Sequence, residues 1–130
     1  MRFYSVGNMY LSSIQQGIQA AHCVGEMSKL ILGNVMVSQW LHEHKTLICV
    51  NGGNNESLTQ FYDLVKDNPW YPVAKFHEDE ASMAGMLTSV GIIIPEKMYD
   101  LDINDPTTWN DLNQWEIAVA TALKRMPLAR

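Results

Sequence analysis

Hydrophobic and polar positions change period several times along the chain, and each change marks an element. Arg2–Tyr10 carries aromatic and β-branched side chains at Phe3, Tyr4, Val6 and Tyr10 and reads as a strand. Ser12 or Ser13 suits a helix N-cap, and the helix is expected to run to about Leu32, with Gly33-Asn34 as its stop. Two stripes share it. Gln15, Gln19, His22, Glu26 and Lys29 recur at intervals of four and three and stack on one face. Ile14, Ile18, Ala21, Gly25 and Leu32 form a second, apolar stripe, and a helix so divided normally turns its polar side to solvent.

Further elements follow by the same reasoning. Val35–His44 reads as a shorter helix with Trp40 and Leu41 inward. Thr46–Val50 is a short continuous apolar run, the pattern of a strand covered on both faces, and Asn51-Gly52-Gly53-Asn54-Asn55 breaks it. Leu58, Phe61, Tyr62 and Val65 give helical spacing from Glu56 to Lys66, ended by Asn68-Pro69. Tyr71–Phe76 and Leu87–Ile94 read as strands, the latter apolar throughout and closed by Pro95. A last helix is expected from Pro106 to about Lys124, with Trp109, Leu112, Trp115, Ala118, Val119 and Ala122 available for packing. Strands alternating with helices imply a layered α/β domain around a buried sheet, with its ligand site at strand ends beside a helix start, where Gln15 falls.

Bulk properties narrow the field. The chain has 130 residues, 47% of them hydrophobic, which suits one domain with one core. Its net charge of -5 argues against a broad phosphate-gripping surface, so any nucleic-acid contact is local or weak. Cys23 and Cys49 sit at no metal-ligand spacing and read as thiols of a reducing compartment. There is no secretory pattern at the start and no apolar run of the roughly 20 residues a membrane span needs. The expectation is a cytoplasmic protein with no membrane partner.

Two patches carry a resemblance. Leu11, Ser12, Gln15, Gln16, Gln19, Ala20 and His22 open the first helix, and Phe76-His77-Glu78-Asp79 precedes Leu87-Thr88-Ser89-Val90-Gly91. Together they resemble the second, archaeal and eukaryotic type of peptidyl-tRNA hydrolase, most closely its short phage and bacterial versions. The resemblance implies a three-layer α/β fold: a mixed four-stranded sheet with helices on both faces, here plus an extra C-terminal helix. Residues 1–95 would form the hydrolase-like domain and 96–130 a helical extension packed on it. It implies hydrolysis of the ester joining a peptide to the tRNA 3′ end; from the residues themselves no cofactor or metal is expected. The residues carried over by position are Gln15, Gln19 and His22, then Glu78 or Asp79, then Thr88. The cellular enzymes have a lysine where this chain has Gln15 and an aspartate where Met83 precedes Ala84-Gly85.

In such a site His22 would take a proton from water, Glu78 or Asp79 would orient it, and the Gln15 and Gln19 amides would donate to an oxyanion. The alternative is a catalytically inert binding module on the same fold, with a protein partner met through the added C-terminal helix. Met83, Met86, Trp109 and Trp115, with that helix, also allow a homodimer.

Other signals are weaker. Asp100–Asp105 begins like a calcium loop but lacks its glycine, and Asp111 stands at the twelfth position. His42 and His44 have no third ligand nearby. His22 and Cys23 point about 100° apart on a helix and make no nucleophile pair. Asn51–Asn55 lacks the lysine of a phosphate loop and reads as a turn with an Asn cap.

Overall fold

The computed structural model describes residues 1–68, 70–78 and 86–129. Four strands form one mixed sheet in the order β2-β1-β4-β3: β1 (Arg2–Gly7), β2 (Leu47–Asn51), β3 (Val73–His77) and β4 (Leu87–Ile94). β1 and β2 run parallel, with Phe3 opposite Leu47 and Val6 opposite Val50, while β4 is antiparallel to both β1 and β3. Among the described residues five helices accompany them: α1 (Ser13–Ser28), α2 (Val35–Gln39), α3 (Asn55–Val65), α4 (Glu96–Tyr99) and α5 (Gln114–Arg125).

Strand alternation sorts the core into two layers. Phe3 and Ile93 point to the side of α1 and α2, where they meet Cys23, Met27, Val37 and Trp40. Tyr4, Val6, Val90, Ile92 and Ile94 point the other way, against Leu58, Phe61 and Val65 of α3 and Val119, Ala120 and Leu123 of α5. This is the three-layer α/β architecture the sequence implies. Gly91, in the centre of β4, is what lets the layers close: a Cβ there would lie 2.7 Å from Cys23 Sγ and 2.7 Å from the Phe3 ring.

Several boundaries differ from expectation, each for a local reason. α1 stops at Ser28 instead of Leu32, because Ile31–Gly33 forms a 3-10 turn and Asn34 then caps α2, accepting from the Met36 and Val37 amides. The expected helix to His44 is α2 followed by a π turn over Trp40–His44, closed by Lys45 in the left-handed region at φ 59°. Trp40 is buried and donates its indole N–H to Thr46 O at 2.8 Å, whereas Leu41 is half-buried.

β2 is not covered on both faces. It lies at the sheet edge, with Leu47 40% exposed and only Val50 fully buried. Its open edge meets the C-terminal tail instead: Asn51 N donates to Pro127 O at 2.8 Å and Ala129 N to Cys49 O at 2.9 Å. A paired edge offers no free ladder to another chain. The expected single C-terminal helix is split. Asp105 caps a 3-10 turn at Pro106–Trp109, and α5 starts afresh at Asn113 through a capping box with Glu116. Among the described residues no helix is long and apolar enough to cross a membrane.

Candidate functional site

α1 begins with a complete capping box: Ser12 Oγ accepts from Gln15 N, and Gln15 Oε1 accepts from Ser12 N at 2.9 Å. From that fixed start most of the polar stripe faces solvent as expected, with Gln15, His22 and Lys29 exposed, but Gln19 is buried and the apolar stripe faces away from the sheet. The face against the sheet is Gln16, Gln19, Ala20, Cys23 and Met27. Ile14 is 77% exposed, Ile18 49%, and Leu32 lies fully in solvent. An unpaired polar group in the interior costs about 1–3 kcal/mol; Gln16 Oε1 bears that cost, being buried without a hydrogen-bond partner among the described residues, whereas Gln19 does not.

Gln19 finds its partners on β4 and just past β3. Its Nε2 donates to Glu78 Oε2 at 2.7 Å, and its Oε1 accepts from Thr88 Oγ at 3.1 Å. The carboxylate can only accept, so the amide orientation follows from the network. Thr88 is fully buried, and its hydroxyl is shared between Gln19 and Phe76 O at 3.2 Å. The threonine therefore acts as a fixed donor behind the amide, and the amide presents a half-buried carboxylate at the rim.

His22 lies one turn further along α1, exposed, with its ring stacked on Phe76 at 4.4 Å between centroids and 6° between planes. Phe76 thus touches the group twice, through its ring and through its carbonyl. A register shift in the β3–β4 ladder falls at Phe76/His77, where the chain leaves the sheet and carries Glu78 to the rim. Glu78 N still pairs with Met86 O at 3.0 Å.

The structure therefore gathers Gln19, His22, Glu78 and Thr88 around Phe76. Gln15 stands apart: it is exposed, and its carbonyl is committed to the N-cap, which leaves only its amide N–H groups free to act. Asp79, and the Met83-Ala84-Gly85 stretch, lie outside the described residues.

Nearby thiols are structural. Cys23 is fully buried beneath α1, and burial, with the Glu26 charge adding and a Ser89 contact opposing, pushes its thiol up to about 11. Among the described residues no group of three or more His, Cys, Asp or Glu side chains could hold a metal. His42 is bound to Ser38 O at 2.9 Å, and His44 faces the chain's amino terminus. Asn51–Asn55 forms a turn: Asn54 caps α3, and Gly53 takes φ 86°.

Periodicity does not reveal two clusters. Asn8, fully buried at the end of β1, donates to Asn55 Oδ1 and Leu87 O and accepts from Tyr10 N, tying β1 to α3 and β4. On the other side of the sheet, Glu116 is 4% exposed, accepts from Tyr71 Oη, and pairs with Lys97 at 3.0 Å. Burial there opposes ionisation, yet the Asn113 amide, Tyr71 and Lys97 outweigh it, so the Glu116 carboxyl sits below its ordinary value. The same burial and the adjacent carboxylate push the Tyr71 phenol up. A groove of about 650 Å³ lies beside this cluster, lined by Leu64, Trp70, Asn113 and Trp115 among others, and includes none of the Gln19 group. Pairs of Cys and His residues at ligand spacing are a sequence signal; long-range partners such as Tyr71 and Glu116 have none.

Compared with known proteins, the chain matches no protein-family model and no curated sequence.

Proposed function

We propose that this chain is a cytoplasmic esterase of the peptidyl-tRNA hydrolase type, working at the rim where α1 meets the ends of β3 and β4. The observation that carries the reading is the chain of hydrogen bonds from Thr88 through Gln19 to Glu78. Such a chain fixes one carboxylate oxygen and leaves the other for water or for an imidazolium. His22, braced on Phe76, takes a proton from the attacking water. The new C–O bond forms at the ester carbonyl, the bond to the ribose oxygen breaks, and that oxygen regains the proton from His22. Glu78 stabilises the imidazolium in between. The free N–H groups of Gln15 and the remaining one of Gln19 are the donors available to the oxyanion.

The test is release of the blocked amino acid from N-acetyl-aminoacyl-tRNA by the purified chain, beside His22→Ala and Glu78→Gln. Each variant is expected to lower kcat/KM by about 10²–10⁴. Absence of turnover above buffer, or equal rates for all three proteins, removes the hydrolase. A second reading, a catalytically inert module that binds another protein, draws on the net charge of -5 and on the outward Ile14 and Ile18.

A further inference from the structure

The outward apolar stripe of α1 leaves an unusual surface. Counting about 100° per residue, Ile14, Ile18, Ala21 and Gly25 share the line of α1 roughly opposite its buried centre at Cys23. All four are exposed. At Gly25, and at Gly17 beside the line, a Cβ would meet nothing within 4 Å, so another chain can approach the helix backbone there. From Ser12 to Gly25 the chain carries no Asp, Glu, Lys or Arg.

We infer that this line is the contact of a two-fold symmetric dimer in which α1 packs antiparallel against α1 of a second copy. Size order along the line sets the register. Read along the helix, the line runs large, large, small, small. One antiparallel register sets Ile14 against the partner's Gly25 and, with no further adjustment, Ile18 against the partner's Ala21. Every branched side chain then meets a small residue, the large-into-small match that close packing needs. A two-fold interface must be self-complementary in this way, because each pair occurs twice.

Charge agrees with the same register. The first turn of α1 has no acidic residue to balance its partial positive end, and Glu26 lies in its last turn. Antiparallel pairing brings Glu26 of the partner subunit to Ser13, at the start of α1. A membrane surface is the poorer occupant, since helices that lie on lipid are flanked by several Lys or Arg residues, and here Lys29 stands alone at the helix end. Of the catalytic candidates on α1, Gln19 lies about 140° from Ile14 around the helix, and Gln15 and His22 lie on the flank about 100° and about 80° from it, none of them on the line itself; association is read by mass and not by turnover, so its failure and that of the hydrolase reading are distinguishable.

A single helix pair falls at the small end of interfaces, below about 1,200 Å², so association is concentration-dependent. In sedimentation equilibrium from about 5 to about 500 µM, the weight-average mass is expected to climb from 14.7 kDa toward twice that value. Ile18→Ala and Ala21→Ile are each expected to weaken association at least about tenfold, the first by opening a gap and the second by setting two large residues together. The double variant, which swaps the sizes but keeps the pairing, is expected to restore it. Circular dichroism melts of each variant separate lost association from lost folding. A chain that stays monomeric throughout overturns the inference, as does a dimer indifferent to both single changes. A folded double variant that remains monomeric overturns the register. Co-sedimentation of a monomeric wild type with phosphatidylcholine vesicles would assign the line to lipid instead.

Discussion

Replacing Thr88 by valine tests the site without disturbing its shape. Valine exchanges the hydroxyl for a methyl group of similar size, so no cavity opens. What disappears is the one O–H that serves both Gln19 Oε1 and Phe76 O. Gln19 is 6% exposed, so water does not readily replace the donor. Leaving a buried acceptor unpaired costs about 1–3 kcal/mol, and about 2 kcal/mol is the expectation here. Over 130 residues the unfolding entropy near the midpoint is roughly 0.27 kcal/mol per kelvin, so Tm should fall by about 7 °C. Urea denaturation should give the same loss at an unchanged slope. Thr88→Ser keeps the hydroxyl and removes one methyl, for about 1 kcal/mol, and should leave the Gln19 side-chain amide where it is. The Gln19 ¹⁵N side-chain resonance separates the two: it should move in the valine variant and stay in the serine one. If Thr88→Val lies within about 0.5 kcal/mol of wild type, or if both variants shift that resonance alike, Thr88 does not hold the amide.

Three further outcomes are expected. Gly91→Ala should destabilise by about 1–3 kcal/mol, because its new methyl group is driven into Phe3 and Cys23, both fully buried; an unchanged melt would contradict the packing. Glu116→Gln should lower stability at pH 7 by about 1–2 kcal/mol, mostly through the Tyr71 hydrogen bond, since Lys97 is half exposed and its pairing is screened by solvent. The folded carboxyl lies below its unfolded value, so its contribution is present above about pH 4.3 and disappears as pH falls toward the depressed value; wild type and variant should converge there in acid melts, and a constant gap would refute the linkage. Cys23, pushed up to about 11 and fully buried, should escape iodoacetamide at pH 8 in the native protein, and mass spectrometry showing it fully alkylated without unfolding would contradict its placement.

Local signals were enough for the elements. Ser12 and Asn54 announce helix starts through their own side chains, and β4 announces itself as a largely apolar run, interrupted by Thr88 and Ser89, that is indeed buried on both faces. Those signals act within a few residues, so they survive without knowledge of the rest of the chain. β2 shows their limit: its apolar run resembles that of a central strand, but its place at the edge depends on strand order, which no segment encodes alone.

The candidate site divides in the same manner. Spacing put Gln15, Gln19 and His22 on neighbouring positions of one helix, and this much follows from 3.6 residues per turn. Which side of that helix enters the core was decided elsewhere. Gln19 can be buried only because Glu78 and Thr88, 59 and 69 residues further along, reach its donor and its acceptor. With those partners in place Gln19 turns inward, while Ile14 and Ile18 turn out. Period and caps belong to the sequence, whereas the pairing that sets the orientation of α1 exists only once the sheet has brought distant residues together.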